Sequence, residues 1–133
     1  MRTNILSYLV TAVIFFSMDF VWLSLSATPI YKARLGNLML EKPNLPVAGG
    51  FYLLYVVAVI VFVVAPALEA ESWVRAAWSG ALFGLVAYGT YDLTNQATLA
   101  GWSMAVTIID MAWGTVATAT AATAGYFITR WIG

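Results

Sequence analysis

Three aspartates carry the ionisable chemistry of this chain. Asp19 and Asp110 each lie within a run of apolar residues, and Asp92 sits at the end of another. An ionised carboxylate at the centre of a bilayer costs about 3 kcal/mol on insertion scales. A chain that keeps three such groups is expected to use them. Asp92 lies in the stretch Tyr88-Gly89-Thr90-Tyr91-Asp92-Leu93-Thr94-Asn95. On a helix it is four residues from Tyr88 and three from Asn95, so Tyr88, Tyr91, Asp92 and Asn95 fall on one arc. Asp19 shares a face with Ala12, Phe15, Phe16, Trp22 and Ser26, and Asp110 with Trp113, Gly114, Ala117 and Ala121. Histidine and cysteine are absent, which removes imidazole acid–base chemistry, thiolate chemistry and disulfides. No metal-binding motif and no cofactor fingerprint is present, so proton work falls to Asp, Glu, Tyr, Lys or water.

Each acid also has a plain structural explanation. Asp19 can sit at an interface beside Trp22, as amphipathic side chains do; its short side chain, about two turns inside the helix end, points instead to an inward-facing group. Asp92 can cap the end of its helix. Asp110 lies near the start of the last helix, where the dipole favours negative charge.

The elements that position these residues follow from composition. Of 133 residues, 62% are hydrophobic and 9% charged, against about 25% charged in a soluble domain. Mean hydropathy is +0.87. Apolar segments near the length needed to cross a bilayer recur over about 5–27, 47–67, 74–95 and 104–131. An all-α membrane protein results, with four transmembrane helices in one bundle and one domain over the whole chain. The first segment is too long for a signal-peptide core and is interrupted by Asp19, so it reads as a retained helix. Thr28-Pro29 supplies a cap and a first-turn proline. Tyr31, Leu35, Leu38 and Met39 then repeat at helical spacing, which predicts a short amphipathic helix in the interface between the first and second crossings. Its Lys32 and Arg34 either meet lipid phosphates or are solvated loop charges. Pro43 and Pro46 close this loop. The second segment holds no Asp, Glu, Lys or Arg between Gly49 and Pro66 and reads as a wall against lipid with no chemistry of its own. Gly80 and Gly84 are spaced to let another helix approach closely, and the fourth helix is the expected partner.

Tracing these elements brings the acids together. If the first helix exits on one side, the third exits there too and the fourth begins there. Asp19, Asp92 and Asp110 then occupy the same half of the bundle, at depths within about 10 Å of one another. Trp22, Tyr88, Tyr91, Asn95 and Trp113 belong to that layer. An acidic, aromatic-lined pocket is the expectation. Three carboxylates within a few ångströms cannot all stay ionised in a low dielectric, so the cluster holds protons or needs a bound cation. Orientation is undecided: Arg2, Arg75 and Arg130 on one side balance Lys32, Arg34 and Lys42 on the other, and the positive-inside rule gives no answer.

Asp19-Phe20-Val21-Trp22, the stretch from Tyr31-Lys32 to Leu35-Gly36, the Tyr88–Asn95 block and Asp110-Met111-Ala112-Trp113-Gly114 together resemble a family of small bacterial inner-membrane proteins, a domain of unknown function. The resemblance covers essentially the whole chain. It implies a four-helix, multi-pass protein of the bacterial inner membrane and carries no activity. A looser likeness is to small multidrug transporters, in size, helix number and an acid in the first helix.

Net charge is zero, which argues against nucleic acid as a partner. Three functions remain open. Proton-coupled transport or binding of a small cationic or polar solute suits acids without bases and an aromatic lining, and calls for a homodimer because four helices are few for a pathway. A membrane enzyme doing acid–base chemistry on a lipid or isoprenoid suits a pocket at interface depth. An accessory subunit of a larger membrane complex needs only polar contacts between helices.

Overall fold

The computed structural model describes residues 2–39 and 44–133, with the side chain of Arg2 outside the described set. Lys42 and Pro43, which enter the charge comparison and the first loop, also lie outside the described residues.

Four long helices form the molecule: Arg2–Ser26, Leu45–Ala70, Trp73–Thr98 and Met104–Ile132. Side-chain caps set three of their starts. Asn44 accepts from the Val47 amide at 3.2 Å, Ser72 from Arg75 at 3.1 Å and Ser103 from Val106 at 3.3 Å. Each cap satisfies a backbone donor that the first helical turn leaves without a partner. The second helix ends where Glu71 turns left-handed, with φ 53°, and the final turn uses Gly101 at φ 78°. Among the described residues, Thr3–Leu38, Leu45–Ala70 and Met104–Ile132 are long and apolar enough to cross a membrane. The third helix has 26 residues, about 39 Å of length, but its last turns carry Thr90, Asp92, Thr94, Asn95, Gln96 and Thr98.

The segment expected as a separate amphipathic helix is helical, but it continues the first helix without a break. Ala27–Lys32 is π-helical, Ala33–Leu35 is α-helical and Gly36–Leu38 closes as a 3-10 turn. The Thr28-Pro29 pair therefore does not begin a new helix. Pro29 lacks an N–H and its ring crowds the carbonyl four residues back, so the turn widens instead. The second helix does the same at Ile60–Val64, just before Pro66. The connector keeps its expected sidedness only in its first turns: Tyr31 and Leu35 are half-buried while Lys32 and Arg34 are exposed, but Leu38 and Met39, expected on the same face as Tyr31, are exposed.

The fourth helix is the hub. Its contacts with the first pair Leu6 with Gly133, Thr11 with Gly125 and Asp19 with Trp113. One number rises as the other falls, so the two are antiparallel. The third helix also runs antiparallel to the fourth, with Gly80 against Ala119 and Ala122, Gly84 against Gly114, and Gly89 against Met111. A Cβ on Gly84 would overlap the Gly114 carbonyl, and this close approach is what the glycine spacing predicts. Phe15, Tyr55, Val56, Val59, Val63, Val64, Ala117 and Ala121 fill the core. At the end of the bundle opposite the acids, Arg130 pairs with Glu71 at 3.8 Å, and its guanidinium also donates to the Tyr126 hydroxyl at 2.9 Å.

Candidate functional site

The acids are positioned by stripes of small and buried residues along each helix. On the first helix Ser7, Thr11, Phe15 and Asp19 recur every four residues and are all buried. On the third, Ala76, Gly80, Gly84, Tyr88 and Asp92 recur at the same spacing, all buried except Tyr88, which is half-buried. Such rows fall on one face of a helix. Because the first and third helices are both antiparallel to the fourth, Asp19 and Asp92 reach the end at which Asp110 enters.

Asp19, Asp92 and Asp110 line one cavity of about 150 Å³. Trp22, Tyr88, Tyr91 and Trp113, also selected from sequence, line it as well. Asn95 does not; it is half-buried one turn further along, towards the end of the third helix. Lys32 and Arg34 are exposed and absent from the lining. Among the described residues, no basic side chain lines the cavity.

The three carboxyls have different surroundings. Asp110 Oδ1 accepts from the Tyr31 hydroxyl at 2.7 Å, and the same hydroxyl accepts from Trp22 Nε1 at 3.0 Å. A distance of 2.7 Å is the usual one for an O–H···O hydrogen bond. Asp19 Oδ1 accepts from Trp113 Nε1 at 3.3 Å, which is beyond the usual N–H···O range and correspondingly weak. Asp92 is 0% exposed, and neither of its oxygens has a hydrogen-bond partner among the described residues. Its helix runs on to Thr98, so Asp92 caps nothing. Asp110 lies beyond the first turn of its helix, which Ser103 caps, and the dipole effect falls off within that turn.

The indoles tie the first and fourth helices crosswise. Trp22 and Trp113 stack with centroids 4.6 Å apart and planes 7° from parallel. Each follows an acid by three residues, in Asp19-Phe20-Val21-Trp22 and Asp110-Met111-Ala112-Trp113. In an antiparallel pair this repeated Asp-x-x-Trp spacing places each indole near the other helix's acid. Trp113 reaches Asp19 directly and Trp22 reaches Asp110 through Tyr31. The repeat is visible in the sequence, but its meaning depends on the antiparallel pairing.

Tyr31, Leu35, Tyr52 and Trp102, with Leu23 and Val106, complete the lining without having been expected there. Tyr31 arrives because the widened turn around Pro29 carries the connector over the bundle end. Tyr52 corrects the reading of the second helix as a wall without chemistry, since its hydroxyl-bearing ring lines the cavity. The same helix buries Tyr55, which shares a 2.8 Å hydrogen bond with Thr118. Trp102 meets Tyr91 edge to face at 5.7 Å and is held by Thr107, to which its Nε1 donates at 2.9 Å.

Residues 4–127 match the family model described as Predicted membrane protein (DUF2177). Comparison with curated proteins and with solved structures gives no match.

Proposed function

Given that the chain belongs to this DUF2177 family of predicted membrane proteins, we propose that its acidic cavity binds a small organic cation in exchange for a proton. This is the binding half of a proton-coupled transport cycle. The observation that carries the reading is Asp92, fully buried at the cavity wall with neither carboxyl oxygen partnered among the described residues. A carboxyl in that position is tolerated in its protonated form or beside a cation. Arrival of a cation therefore favours the carboxylate: the O–H bond breaks, the proton leaves to solvent and the cation takes its place in the charge balance. The lining supplies three acids, no basic side chain among the described residues, and several aromatic faces, of which indole attracts cations best.

The remaining assignments belong to the same proposal. All four helices cross the bacterial inner membrane, and a homodimer completes the pathway. Lys32 and Arg34, exposed on the connector, face lipid phosphates. The lipid-enzyme reading asks for a phosphate-holding cation beside the acids, and the placement of Lys32 and Arg34 outside the lining counts against it.

Proton release on adding tetramethylammonium to the purified protein in weakly buffered detergent tests the reading. This cation carries no dissociable proton, so any release comes from the protein. Saturable release by wild type and its loss in Asp92→Asn is the expected result. Absence of release from wild type across the concentration range overturns it.

A further inference from the structure

The acid cavity has acceptors to spare and few donors to meet them. The donors it does have go to two of the acids, Trp113 Nε1 to Asp19 and the Tyr31 hydroxyl to Asp110. Among the described residues nothing donates to either oxygen of Asp92. Asp92 also offers no surface to solvent, so bulk water does not serve it. The volume sets a second limit. A cavity of about 150 Å³ takes one benzene-sized molecule, a ligand of about six non-hydrogen atoms.

We infer that the ligand is a compact primary amine, bound as its ammonium through N–H bonds to Asp92, and that quaternary cations of equal size are disfavoured. The inference rests on the cation-binding reading above and names the class of cation. When the Asp92 O–H bond breaks and its proton leaves to solvent, a buried carboxylate remains that must find donors. An ammonium brings three N–H groups, enough for both oxygens of Asp92, and keeps all its own protons. One monocation enters and one proton leaves. A quaternary cation brings the charge without a donor. Recession of the carboxyl into the wall sharpens the difference. An N–H nitrogen approaches an acceptor to about 2.9 Å, whereas a methyl carbon stops at about 3.3–3.6 Å with its charged nitrogen a bond further away. A site whose buried polar group depends on a ligand N–H rejects an analogue that lacks it.

The test compares three isomers of equal charge and atom count: tert-butylammonium, ethyldimethylammonium and tetramethylammonium, with three, one and no N–H donors. Proton release from the full wild-type chain in weakly buffered detergent is the readout. An aliphatic ammonium titrates near pH 10.4, like a lysine, so at neutral pH each ligand is charged and a protein-free blank corrects for its own proton. Water holds a primary ammonium strongly, so a cavity that offered charge alone would favour the quaternary isomer. The expected result is the reverse: half-maximal release by tert-butylammonium at a tenfold or more lower concentration than by tetramethylammonium, with ethyldimethylammonium between. Asp92→Asn should release protons with none of the three. A ratio below tenfold, or the opposite order, overturns the inference, while saturable release by tetramethylammonium leaves cation binding standing. Wild-type release of protons from Asp92→Asn by tert-butylammonium overturns the assignment to Asp92. Absence of release from wild type with all three cations overturns the inference and the cation-binding reading together.

Discussion

Asp92 is buried without a hydrogen-bond partner among the described residues, and at the residue scale this is the molecule's main local cost. An unsatisfied buried polar group costs about 1–3 kcal/mol, and an apolar replacement of similar shape is neutral or stabilising. Asp92→Leu should therefore raise thermal stability in detergent by an amount in that range while abolishing proton release. A lower melting temperature would show that the carboxyl is bonded into the fold. Tyr31 is the opposite case, because its hydroxyl both receives Trp22 and donates to Asp110. Tyr31→Phe and Asp110→Asn remove or weaken the same bond, so a double-mutant cycle on stability should return a coupling of roughly 0.5–3 kcal/mol. Additive effects would mean that the connector is not held by this contact.

Between elements, the closest approach is that of the third and fourth helices. Gly84 meets backbone, the Gly114 carbonyl, which cannot rotate aside, and Gly114 in turn faces the Tyr88 ring. Gly84→Ala should destabilise by about 1–3 kcal/mol, as overpacking does, and should separate Tyr88 and Asp92 from the fourth helix. Gly49 has nothing within 4 Å of an added Cβ, so Gly49→Ala should be neutral or stabilising by up to roughly 1 kcal/mol from helix propensity alone. Melting curves of the two variants side by side check the contrast. Equal losses would mean that the glycines act through propensity and not through helix approach. The close pairing was legible in the Gly80/Gly84 spacing because a repeat of four on a helix is a local property. The continuation of the first helix through Pro29 was not, because proline following threonine equally marks a new helix start.

At the scale of the whole molecule, the acids stand at one end of the bundle and the Arg130–Glu71 pair at the other. If all four helices cross the membrane, the turn after the second and the turn after the third lie on opposite faces. The chain has no cysteine, so Glu69→Cys and Ala100→Cys, both at exposed positions, report orientation without background. A membrane-impermeant thiol reagent should label them from opposite faces. Labelling of both from one face alone would mean that the third helix, the most polar of the four, does not cross. Equal labelling of each from both faces would show dual insertion, which the three-to-three balance of basic residues allows.

Helix number, approximate boundaries and the layer shared by the three aspartates were determined by the sequence alone. Each depends on quantities that add along the chain: apolar length, a rise of 1.5 Å per residue, and alternating direction between short turns. The tertiary structure decided which groups face one another around that layer. It withheld Asn95 from the lining and brought in Tyr31 and Tyr52. It turned two Asp-x-x-Trp segments into a crossed pair, and left Asp92 alone of the three acids without a donor among the described residues. Those outcomes depend on the widened turn at Pro29 and on the rotation of each helix about its axis. A wheel drawn for one helix shows which residues share a face; only packing against the fourth helix determines what that face meets.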